Sequence, residues 1–86
     1  MVFKFYGYSR DNNEDTPTEL REVSVVADPE LLKSLGQFLL SCGSEIEVEP
    51  KWDHRHFRDV YSNLSPQCSD FIVVKHKHVG WTDNSP

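Results

Sequence analysis

Eighty-six residues make room for one small domain with a thin stability margin, because a chain this short buries little more than half of its unfolded surface. Apolar residues at 37% and aromatic residues at 12% exclude a disordered chain. A formal charge of −5 excludes a polyanion such as DNA or RNA as the partner, since nucleic-acid affinity rests on neutralising phosphates with Lys and Arg. The same charge serves solubility and favours encounter with a basic protein.

Residues 2–8, VFKFYGY, are aromatic and β-branched and predict a strand with Phe3 and Phe5 on one face and Lys4, Tyr6 and Tyr8 on the other. The polar run SRDNNEDTPT predicts a long loop. Residues 20–27, LREVSVVA, alternate and predict a second strand, paired with the first as a hairpin.

A helix over residues 29–46 is the clearest element. Asp28 is placed to cap it, Pro29 suits the first helical position, and Glu30 suits the positive end of the dipole. Leu31, Leu32, Leu35, Phe38, Leu39, Cys42 and Ile46 recur at helical spacing in a stripe of the width expected of a helix lying on a sheet. Leu40 falls on the opposite, polar face. Gly43 leaves the end open, there or as far as Glu47.

Residues 48–70 show no clear period. Pro50, Asn63 and Pro66 predict a long connection, packed on the body through Trp52, Phe57, Val60, Tyr61 and Leu64. Residues 71–77 predict a third strand. Phe71 to Val74 are apolar on both faces, as in an interior strand, and the strand is expected beside the first, which would make residues 2–8 central. Residues 79–86 are expected to fray, with Trp81 pinned. The order β-β-α-β gives a two-layer α+β domain, one amphipathic helix on a small antiparallel or mixed sheet, without repeats or a second domain.

The first ten residues have no apolar core of signal-peptide length, and nothing approaches the ~20 apolar residues of a membrane span. The expected location is the cytoplasm, with no membrane partner. Cys42 and Cys68 form no C-x-x-C and are expected to be reduced thiols.

The chemistry-bearing residues concentrate in KWDHRHFRD, residues 51–59. In a strand, H-x-H puts both imidazoles on one face, which opens a metal reading through His54, His56 and Asp59, with His76 or His78 as further ligands. A metal site needs three or four converging ligands, and no spacing here is diagnostic of one. No cofactor is expected. Phosphoesterases with paired histidine motifs carry Ser or Thr two residues after each His, where this chain has His56 and His78. Cys42 lies on the apolar helix face, where a thiol is packing. Four scattered glycines form no phosphate loop. The chain is not expected to be an enzyme. Two readings of the stretch remain open: a recognition surface of Trp52, His54, Arg55, His56, Arg58 and Asp59, since Trp and Arg dominate interface hot spots, or an ordinary packed connection with surface ion pairs.

The ordered set LREVSVVADPELLKSLGQFLLSC, DHRHFRD and DFIVV resembles the immunity protein 32 family, small α+β proteins assigned to protecting bacteria from polymorphic toxins. The likeness covers residues 20–74 and includes His54, His56 and Asp59 as H-x-H-x-x-D; the tail with His76 and His78 lies outside it. It implies a cytoplasmic protein that docks on a toxin domain and occludes its active site. The negative charge suits a basic toxin.

Overall fold

The computed structural model describes residues 2–11 and 15–76. The third strand's last residue, Lys77, and the readings placed on His78 and on residues 79–86 lie outside the described residues.

The architecture is α+β, with one long helix and two separate two-stranded antiparallel sheets. Strand β1 (Phe5–Gly7) pairs with β2 (Thr18–Leu20), with Phe5 opposite Leu20, Tyr6 opposite Glu19 and Gly7 opposite Thr18. Helix α1 spans Pro29–Val48. Strand β3 (His54–His56), the single-turn helix α2 (Phe57–Val60) and β4 (Ile72–Val74) complete the chain.

Three sequence expectations change. The single small sheet is not formed: the last strand pairs with β3, within the stretch read as an irregular connection, and not with β1. A three-residue strand inside a polar segment has too little alternation to stand out from its neighbours. The second strand is three residues long and ends at Leu20, so residues 21–27 carry no ladder despite their alternating, β-branched sequence. A strand-forming sequence needs a partner to become a strand, and among the described residues none pairs with this one.

The helix fulfils its capping pattern. Asp28 Oδ1 accepts the Leu31 amide at 2.9 Å, and the Asp28 carbonyl accepts that of Leu32 at 3.0 Å. Gly43 does not stop it, because the following chain anchors the last turn. The Trp52 indole N–H donates to Glu45 Oε1 at 2.8 Å and the Arg55 guanidinium donates to Glu45 Oε2, while the Glu49 amide caps back onto the Glu45 carbonyl at 2.9 Å. These bonds offset the roughly 1 kcal/mol by which glycine disfavours a helix interior.

The core is the line of contact between α1 and the segment from β3 to β4. Phe38, Cys42 and Phe57 are buried, and Leu31, Leu35, Trp52, Tyr61, Leu64, Phe71 and Val73 pack against them. Phe57 sits 5.2 Å from the Phe38 ring at a tilt and stacks on Tyr61 at 5.5 Å. Each fully buried Phe is worth about 2–3 kcal/mol of transfer free energy. Leu32 and Leu39, at the margin of the apolar stripe, are left half-exposed, because a narrow ribbon covers less of the helix than a full sheet would.

Candidate functional site

The β3–β4 ribbon positions the histidines. Residues directly opposite in an antiparallel pair share a face, and the register sets His54 opposite Val74, Arg55 opposite Val73, and His56 opposite Ile72. Arg55 and Val73 therefore face the helix, where Val73 joins the core. His54, His56, Ile72 and Val74 form the outer face, with Ile72 45% and Val74 49% exposed. The two imidazole rings lie edge to face, 5.3 Å apart.

Carboxylates orient both rings. His54 Nδ1 lies 2.7 Å from Asp53 Oδ2, and His56 Nδ1 lies 2.7 Å from Asp70 Oδ2. A carboxylate only accepts, so each Nδ1 carries the hydrogen and each Nε2 remains to meet a partner. Asp70 does more than orient His56: its Oδ1 also accepts the amides of Arg58 at 3.3 Å and Phe71 at 2.8 Å. Burial acts to raise the Asp70 carboxyl, but the bonds from His56 and those two amides outweigh it and hold Asp70 below the usual carboxylate range. Glu45 is likewise held low, first by the Trp52 indole bond; partial desolvation opposes this, and the Arg55 guanidinium adds to it.

The six residues read from the sequence as a recognition surface separate into two groups. Trp52 and Arg55 direct their polar groups at Glu45. Arg58 holds the chain reversal after α2 through the carbonyls of Ser65 (3.1 Å) and Cys68. His54 and His56 point outward, and Asp59 is exposed on α2. The sequence reading missed Ile72 and Val74 as surface residues and Asp70 as a clamp. An all-apolar run reads as an interior strand, and only the pairing with HRH shows that alternate residues of it face out.

Among the described residues no group of three or more His, Cys, Asp and Glu side chains converges as a metal site, so Asp59 does not complete the His54–His56 pair. Cys42 and Cys68 are both free thiols. Burial, reinforced by the Glu45 carboxylate, pushes the Cys42 thiol up, which makes it a poor nucleophile. No helix among the described residues is long and apolar enough to cross a membrane. A groove of about 380 Å³ between α1 and α2 is lined by Ser34, Gln37, Phe38, Ser41, Glu45, Arg55 and Phe57, with Val60 and Tyr61.

The sequence pattern of immunity protein 32 matches residues 22–77, which include α1, the whole β3–β4 ribbon and every residue of this face. The chain belongs to the immunity protein 32 family. No curated protein and no solved structure matches it. The family match begins two residues after β2, so the β1–β2 hairpin of this immunity protein lies outside the family's shared pattern.

Proposed function

We propose that this protein neutralises a bacterial polymorphic-toxin domain in the cytoplasm by binding it and covering its active site, without a cofactor and without catalysis of its own. Membership of the immunity protein 32 family carries this reading. The outer face of the β3–β4 ribbon is the proposed centre of contact. Its two aliphatic side chains supply area that loses water on docking, its two oriented imidazoles supply directional hydrogen bonds, and together they match the apolar centre and polar complement of a protein interface. Asp53, Asp59 and Asp70 around it add negative charge that complements a basic toxin.

The test is co-expression with the toxin domain encoded beside this chain's gene, followed by a binding measurement on the purified pair. The wild-type chain is expected to restore growth. Ile72→Asp is expected to weaken binding by tenfold or more, and His54→Ala with His56→Ala by a similar factor, with the fold retained by circular dichroism. Full toxicity in the presence of the wild-type chain would refute the proposal, and equal binding by the variants would move the contact off this face.

A further inference from the structure

Residues 21–27, REVSVVA, are at odds with their own sequence. They have the alternation and β-branched content of a strand, yet they form no ladder, and among the described residues none of their backbone groups bonds to another segment. Their valines are uncovered: Val23 is 43%, Val25 50% and Val26 97% exposed. Nor do they join the core beneath α1. Six of the seven residues nonetheless fall inside the family's shared pattern, unlike the paired hairpin that precedes them. An uncovered strand-forming segment is a template for pairing with another chain, and a conflict between local preference and the formed structure is expected where a function claims the residues.

We infer that residues 22–26 are a docking strand for the toxin domain, which adds an edge strand of its own to them. This inference rests on the proposed function and adds to the ribbon face a second contact of a different kind. Main-chain hydrogen bonds would supply affinity, and the alternating valines would supply side-chain packing, as in other cases of recognition by strand addition. The charge around the segment selects the occupant. Glu19, Glu22, Asp28 and Glu30 flank it against Arg21 alone within residues 19–30. A second copy of this chain would carry the same net charge of −5, and a net charge far from zero keeps copies of a chain apart. A toxin strand flanked by Lys or Arg matches this charge.

Hydrogen exchange on the complex with the neighbouring-gene toxin domain tests the inference, together with two variants. The amides of residues 22–26 are expected to exchange fast in the chain alone and at least tenfold more slowly in the complex. Val25→Pro, which removes a backbone donor, and Val26→Lys, which sets a cation against a basic partner, are each expected to weaken binding tenfold or more. Val26 is too exposed for its replacement to disturb the fold, so the second variant still reports if the first is unstable. A complex that forms while these amides exchange as before, and that both variants leave intact, overturns the docking strand and leaves the proposed function standing. Absence of any complex overturns both. A dimer of the chain alone with these amides protected also overturns the inference, because the occupant is then a second copy.

Discussion

The two ribbons of this protein are the same size and have different supports. Each has two antiparallel strands of three residues, and a two-stranded hairpin alone is marginal in water. The β3–β4 ribbon lies against α1: Val73 enters the core, Phe57 at the end of β3 is buried, and the Phe57 amide donates to the Phe71 carbonyl at 2.8 Å. The β1–β2 ribbon has no residue in the core. Its side-chain contacts include a Phe3–Phe5 edge contact and a 3.9 Å Lys4–Glu19 ion pair, and Arg10, just beyond β1, donates to the Gln67 carbonyl. The family pattern divides the chain at nearly the same place, including the first ribbon's neighbour at residue 22 but not the ribbon itself. A strand pair that packs into the core can hold a functional face in place, whereas one with no residue in the core does less to hold the body together.

The largest expected effect tests that division in the core. Phe57→Ala removes a ring that touches both Phe38 and Tyr61, and truncating a buried Phe costs about 3–5 kcal/mol. In a domain of this size that is a large share of the total stability. Phe5→Ala, on the unsupported ribbon, is expected to cost less than about 1 kcal/mol, since Phe5 is half-buried and outside the core. Urea denaturation of both variants measures the contrast. Equal losses would show that the first ribbon is as integral to the fold as the second.

Acid should loosen the supported ribbon. Asp70 and Glu45 are both more acidic in the folded chain than a free carboxyl. As pH falls the unfolded chain therefore takes up protons first, and the stability these groups contribute is complete above the ordinary carboxylate pKa of about 4 and is lost as pH drops through their lowered values. Asp70→Asn keeps an acceptor for the two amides but loses the charge opposite His56. It is expected to lower stability at neutral pH and to flatten the acid limb of a stability–pH profile. An unchanged limb would show that Asp70 does not tie β3 to the start of β4.

Much of the supported half was legible from sequence. The Asp28 cap, the helix stripe and the inward aromatics Trp52 and Phe57 all follow from patterns that local chemistry sets, and the capped helix has a long, strong period to report it. The tertiary pairings were not legible. His54 to His56 is too short to show alternation, and its partnership with Ile72 to Val74 spans a connection with no periodic signal. For the same reason the sequence names Arg55 and Arg58 for a recognition surface without showing the bonds they make to Glu45 and to the carbonyls of Ser65 and Cys68. Residues 21–27 failed in the opposite sense: their strand pattern is clear, and among the described residues no second strand pairs with them.

The smallest predicted effect is also the one most sensitive to coupling between the ribbons. Gly7 lies diagonal to Leu20 across the ribbon, and a Cβ built there would lie 3.2 Å from Leu20 Cδ1. That is close enough to require Leu20 to move by a few tenths of an ångström, but the atom is the end of a flexible, half-exposed side chain. Alanine also reduces the backbone freedom of the unfolded chain, a gain of about 0.4–1 kcal/mol where the native conformation suits it. The two effects oppose each other, so Gly7→Ala is expected to change global stability by less than about 0.5 kcal/mol. Chemical-shift changes should be confined to β1 and β2. A loss of 2 kcal/mol or more, or shifts reaching Phe38 and Phe57, would mean that Leu20 is held in place by the body, and the two ribbons would then have to be treated as one structure.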